Sequence, residues 1–199
     1  MERLAEREAV QSGGPEAAIE TENLVVRYGR KTVVDGLSLS VSRGSVYGFL
    51  GPNGAGKTTT IKTLLGFRRP DGGTARVLGH DVVRDGLEAR ARIGFASEVS
   101  SLYGHMTIER HCALCRDLSR GWNQSLVDRY RSVFGLPERT KVRKFSKGQK
   151  AQLELCLALG SDPELLILDE PTSGLDPVAR RAFLKVIVGE GPPKADPYS

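Results

Sequence analysis

Residues Gly51-Pro52-Asn53-Gly54-Ala55-Gly56-Lys57-Thr58 form a G-x-x-x-x-G-K-T run that continues into Thr59 and Thr60. No other stretch restricts the chain as strongly. Glycines remove Cβ atoms, so the backbone can wrap a polyphosphate and aim successive N–H groups at it. Lys57 is suited to the β- and γ-phosphates, and the Thr58 hydroxyl to Mg²⁺. Ser45-Val46-Tyr47-Gly48-Phe49-Leu50 before the run reads as a short buried strand. Thr58 to Leu65 after it reads as a helix whose positive end faces the anion. Strand, loop and helix in that order imply a nucleoside triphosphate site.

Composition adds bounds rather than direction. A chain of 199 residues with 39% hydrophobic and 27% charged residues is ordinary for one packed domain with a small subdomain. The net charge of +5 is spread along the sequence without a basic block or interleaved aromatics, so it does not argue for nucleic acid. No apolar stretch is long enough for a membrane span, and the charged first twenty residues lack a secretory core. Cys112, Cys115 and Cys156 cannot all pair, which fits a reducing, cytosolic setting. Cys112 and Cys115 beside His111 are read as helix-face residues rather than a metal site, because no second ligand pair follows.

The remaining segments arrange themselves around the loop. Residues 1–18 are polar and read as a frayed tail, broken by Ser12-Gly13-Gly14-Pro15. Ile19 to Tyr28, Thr32 to Val34 and Leu37 to Val41 read as strands of a small antiparallel sheet. Tyr28, at a turn ahead of the core, is either a base-stacking residue or a half-buried strand aromatic. Gly72 to His80 reads as turn and strand, Leu87 to Arg92 as a short helix, and Arg92 to Ala96 as another strand. From Thr107 to Phe134 the apolar period is helical, with Thr107 as N-cap, a break at Gly121-Trp122-Asn123 and Trp122 in the core. Ser146-Lys147-Gly148-Gln149 opens an apolar helix. Its S-x-x-Q spacing is a capping box, and the same helix end could equally hold a phosphate. Leu165-Leu166-Ile167-Leu168 reads as a buried parallel strand that delivers Asp169 and Glu170 at its C-terminal end. An aspartate there can hold Mg²⁺, and the adjacent glutamate can orient or deprotonate water.

Taken together, the phosphate loop, S-K-G-Q, LLILDE and Pro171-Thr172-Ser173-Gly174-Leu175-Asp176 resemble the ATP-binding subunit of ABC transporters over roughly Ile19 to Val188. The run DEPTSGLDPVARR is most similar to bacterial subunits serving ABC-2-type exporters. The resemblance implies an α/β P-loop NTPase fold with a mostly parallel sheet core, a small antiparallel β subdomain and a helical subdomain at about 99–148. It implies that Tyr28 stacks on adenine, and that Gly51, Pro52, Asn53, Gly54, Ala55, Gly56, Lys57, Thr58 and Thr59 wrap ATP. It further implies that Asp169, Thr58 and Glu98 hold Mg²⁺, and that Glu170, aided by Glu98, activates water. Ser146, Gly148 and Gln149 become the signature motif closing over ATP of another protomer, and Ser173, Gly174, Leu175 and Asp176 the D-loop. The implied partners are a transmembrane permease and a second ATP-binding subunit, alike or different, with no nucleic acid. The implied place is the cytoplasmic face of the cell membrane.

Three departures qualify that picture. Ala96-Ser97-Glu98 stands where many members carry glutamine, and Lys147 replaces a signature glycine. His80, His105 and His111 all precede Asp169, whereas the family carries a switch histidine on a strand past the D-loop. The proline-bearing stretch from Gly189 to Ser199 reads as a truncation or a replaced C-terminus. The alternative expectation is therefore a module that binds ATP but hydrolyses it poorly. A soluble ABC-type protein of DNA repair or translation fits less well, since the interval from Lys57 to Asp169 carries no heptad run.

Overall fold

The computed structural model describes residues 17–189. Strands β1 (Ala17–Tyr28) and β2 (Lys31–Ser42) form a long antiparallel hairpin in which Tyr28 faces Lys31. β3 (Gly72–Val77) pairs with the other edge of β1, and β4 (His80–Asp81) with β3, giving the order β2-β1-β3-β4. Every pairing in this sheet is antiparallel. Leu24, Val26 and Val77 are fully buried on its inner face, against Leu64 of helix α1 (Lys57–Leu64) and Ala89 of α2 (Gly86–Arg90).

The second sheet is parallel. β5 (Ile93–Ala96) and β6 (Leu165–Leu168) run side by side with Ile93 opposite Leu165 and Ala96 opposite Leu168. The ladder continues one residue further, where the Asp169 N–H donates to the Ala96 carbonyl at 3.0 Å. Gly94 lies so close to the next layer that a Cβ there would stand 2.8 Å from the Ala158 carbonyl oxygen. The glycine lets β5 pack directly on helix α5 (Lys147–Gly160).

Helix α5 is buried along most of its length, with Leu153, Leu155 and Cys156 at zero exposure. One flank packs with α3 (Ile108–Leu118), α4 (Gln124–Val133), Val142 and Phe145, and Leu155 on the other meets Phe183 and Val186 of α6 (Pro177–Ile187). A helix buried along most of its length belongs in this central position. The break between α3 and α4 falls at residues 119–123, and half-buried Trp122 packs into the helical core, as its apolar setting suggests. Thr107 sits at the N-cap of α3 without a side-chain cap bond. His111 is buried with both ring nitrogens engaged: Nε2 accepts from the Tyr103 N–H at 3.0 Å and Nδ1 meets the Thr107 carbonyl at 2.9 Å. Cys112 and Cys156 are buried, and burial pushes both thiols up, Cys112 to about 11.

Two expectations are corrected. Ala17 and Ala18 belong to β1 rather than to a tail: Ala17 pairs with Ser42, and the Ala18 carbonyl accepts from the Leu78 N–H at 2.8 Å. The rest of the expected tail, residues 1–16, lies outside the described residues, as does the stretch 190–199. Ser45–Leu50 is not a buried strand but irregular chain, with Val46 74% and Leu50 91% exposed. The cause is nonlocal. A strand exists only where a neighbour completes its ladder, and among the described residues β5 and β6 pair with each other and none pairs with this run. Among the described residues the antiparallel sheet has four strands and the parallel sheet two.

Candidate functional site

The loop at residues 51–56 bends through left-handed Gly54 and Gly56 and hands over to α1 at Lys57. Gly56 has φ 87°, and a Cβ there would lie 2.7 Å from the Val33 carbonyl oxygen. Only glycine meets both conditions, and the contact seats the tip of the β1–β2 hairpin against the loop. Thr60 and Thr63 turn their hydroxyls back to the Gly56 and Thr59 carbonyls, while Thr58 is exposed in the first turn. The N-cap carries no side-chain bond and the first turn no acid, so the helix start suits an anion.

Lys57 reaches three oxygens. Its Nζ donates to the Gly51 carbonyl at 2.6 Å and the Pro52 carbonyl at 3.2 Å, and stands 3.8 Å from the Glu170 carboxylate. The last contact brings the glycine loop and the acid pair at the end of β6 into one neighbourhood. Asp169 is 7% exposed, held by its backbone bond to Ala96. Glu170 adopts φ 47°, uncommon for a residue with a Cβ, and the turn it opens closes when Ser173 N–H donates to its carbonyl at 3.0 Å. Across that turn the Ser173 hydroxyl donates to Glu98 at 3.2 Å. Lys57, Asp169, Glu170, Glu98 and Ser173 thus form a connected set.

A cleft of about 210 Å³ opens beside this set, lined by Glu98, Lys147, Lys150, Glu154, Glu170 and Ser173. The helix that S-K-G-Q opens contributes Lys147 and Lys150. Ser146 and Gln149 form the reciprocal capping box: the Gln149 N–H donates to Ser146 Oγ at 3.1 Å, and the Ser146 N–H to Gln149 Oε1 at 3.0 Å. Leu175 packs on Gly148, and the stem of Lys147 lies over Gly174, so the S-K-G-Q turn and the turn after β6 touch within one chain. Asp176 caps α6 by accepting from the N–H groups of Val178 and Ala179.

Tyr28 stands apart from the carboxylates, at the hairpin tip. It is 47% exposed, with the Arg68 guanidinium 4.8 Å from its ring centroid. Arg68 also donates to the Arg27 carbonyl, and Asp71 accepts from Arg68 at 3.4 Å and from the Arg27 N–H at 2.7 Å. Neither Arg68 nor Asp71 is singled out by the sequence, and nor is Glu154. For Glu154 the signal exists: one acid inside the apolar run Leu153 to Leu157. Its carboxylate accepts from the Ser101 N–H at 2.8 Å, and burial pushes its pKa above the usual range against that bond.

The chain as a whole is similar to known proteins. The family described as ABC transporter matches residues 34–173. This chain belongs to the ABC transporter ATP-binding family. It is 42% identical over 171 residues to the Nod factor export ATP-binding protein I of Paraburkholderia xenovorans, covering 83% of this chain and 56% of that protein. It is 39% identical over 171 residues to the bacitracin transport ATP-binding protein BcrA of Bacillus licheniformis, covering 85% and 56%. A solved structure described as the ATP binding subunit of an ABC transporter superposes with a TM-score of 0.78 at 29% identity, covering 87% of this chain and 75% of that one. The family fold is the α/β P-loop NTPase. The chain spans little more than half the length of the curated relatives it matches.

Proposed function

We propose that this ATP-binding domain binds and hydrolyses Mg-ATP to drive export through a separate membrane subunit. The approach of Lys57 to Glu170, 3.8 Å across the loop and the end of β6, carries the reading. A triphosphate in the loop draws Lys57 off the Gly51 and Pro52 carbonyls onto phosphate oxygens, and the start of α1 stabilises the same charge. The Thr58 hydroxyl and the Asp169 and Glu98 carboxylates are hard oxygen donors that fit Mg²⁺ and would hold it with the phosphates. When bound, Mg²⁺ neutralises charge developing on the β- and γ-phosphates. Glu170, freed from Lys57, takes the proton of the attacking water, with Glu98 close through Ser173. Tyr28 presents its ring to adenine.

Ser146, Gly148 and Gln149, with Ser173 to Asp176, meet a second ATP-binding subunit, alike or different. Residues 99–148 form the helical subdomain that meets the permease. The printed names of the relatives, Nod factor export and bacitracin transport, support a transport role. No helix among the described residues is long and apolar enough to cross a membrane, in keeping with a subunit that docks on the inner face.

A second reading is ATP held with little turnover, and the three histidines of the described residues have other neighbours. Arg92 contacts His80 at 3.2 Å, His105 sits against the Tyr103 ring, and His111 is in the helical core. None of these contacts is to Lys57 or Glu170. Mg²⁺-dependent phosphate release and ATP affinity, measured on the chain and on Glu170→Gln, separate the two. The first reading requires turnover that falls by about 10²- to 10⁴-fold in the variant while affinity holds. Turnover indifferent to Glu170→Gln removes the base assignment, and tight ATP binding without turnover selects the second reading.

A further inference from the structure

Between β5 and α3 the chain crosses the cleft as the loop 97–101, which carries Glu98. Two ties hold this loop, and they come from different elements. The Ser173 hydroxyl donates to the Glu98 carboxylate at 3.2 Å from the turn after β6. At the other end, the Ser101 N–H donates to Glu154 Oε1 at 2.8 Å from the middle of α5. Glu154 is 7% exposed and stands between Leu153 and Leu155, both with no exposure at all. A carboxylate in that setting is costly for folding unless its oxygens are occupied. The same side chain borders the cleft that Glu98 and Glu170 line.

We infer that Glu154 is a positioning residue: its carboxylate pins the C-terminal end of the loop 97–101 to α5 and so fixes where Glu98 stands beside Glu170. The inference rests on the proposed role of Glu98 at the Mg-ATP site. Glu154 itself touches no reacting atom. It acts through the Ser101 amide. Because α5 begins at the S-K-G-Q turn, the same tether links that turn to Glu98 through one rigid helix.

The test uses Glu154→Leu and Glu154→Gln in the same chain. Leucine removes the acceptor, whereas glutamine keeps an amide oxygen for the Ser101 N–H. Amide hydrogen exchange reads the tether without any turnover. In Glu154→Leu the Ser101 amide should exchange at least about tenfold faster while α5 and β5 keep their protection, and in Glu154→Gln it should stay slow. The melting temperature of the leucine variant should not fall. In turnover, Glu154→Leu should lose about tenfold or more in kcat and need more Mg²⁺ for half-saturation, with ATP affinity within about twofold, and Glu154→Gln should recover most of this. Unchanged Ser101 exchange in the leucine variant overturns the tether. Faster exchange with kcat and Mg²⁺ demand unchanged overturns its positioning role. A wild-type chain without turnover defeats the proposed hydrolysis instead, and the exchange arm still decides the tether.

Discussion

Glu170 holds a left-handed backbone at φ 47° and a carboxylate within 3.8 Å of Lys57. Strain of that kind persists only where the surroundings over-determine it, and it clusters at functional positions. Tyr28 presents the opposite case, an exposed ring kept in place by a neighbour. Arg68 lies over it and is itself tied to the Arg27 carbonyl and Asp71, so the ring is oriented before any base arrives. Base stacking on an aromatic is worth about 1–3 kcal/mol. Tyr28→Ala should therefore weaken ATP about fivefold to a hundredfold, and weaken inorganic triphosphate, which has no base to stack, hardly at all. Competition binding with both ligands checks this, and equal losses for the two would remove Tyr28 from base recognition.

Among the elements, β5 and β6 were legible from short apolar runs, and α3, α4 and α5 from helical periodicity, because those signals are local. The end of β6 was legible too, since an apolar strand that stops at Asp169-Glu170 fixes where both acids go. Ser45–Leu50 was not, because apolar composition says nothing about which strand lies alongside. Arg68 and Asp71 escaped notice for the same reason: their partners are Arg27 and Tyr28, some forty residues earlier. Glu164 is a further nonlocal device. It accepts from Arg43 after β2, at 2.9 Å, and from Arg92 at the start of β5, fastening the antiparallel sheet to the parallel one. The Arg43 and Arg92 guanidinium groups hold its carboxyl below the usual range. A carboxyl depressed on folding stabilises above its unfolded pKa, near 4.3, and that contribution disappears as pH falls through the folded value. Both sides of the contact are partly exposed, so the effect at neutral pH is below about 1 kcal/mol. Glu164→Gln should lower the melting temperature slightly at pH 7 and make progressively less difference as the pH falls below the unfolded pKa and through the folded one, which paired thermal melts will resolve.

For the molecule as a whole, the decisive feature is an apolar run left in water. Val46 and Leu50 stand 74% and 91% exposed, with Tyr47 52% exposed between them, directly ahead of the phosphate loop. Contiguous apolar surface of this kind promotes association. If the run is open, replacing its side chains removes no packing, and surface substitutions away from special features stay within about 0.5 kcal/mol. If it were a buried strand, removing a large aliphatic side chain would cost about 2–5 kcal/mol, several degrees or more in melting temperature. Val46→Ser with Leu50→Ser should therefore leave the melting temperature of this chain nearly unchanged while raising its solubility and lowering its binding of a hydrophobic dye. The loop itself gains nothing from those side chains, because its shape comes from Gly54, Gly56 and the Val33 contact. ATP affinity should accordingly stay within about twofold, a change of roughly 0.4 kcal/mol. A large fall in melting temperature would mean that the run does find a strand partner in solution, and that the parallel sheet there is wider than two strands.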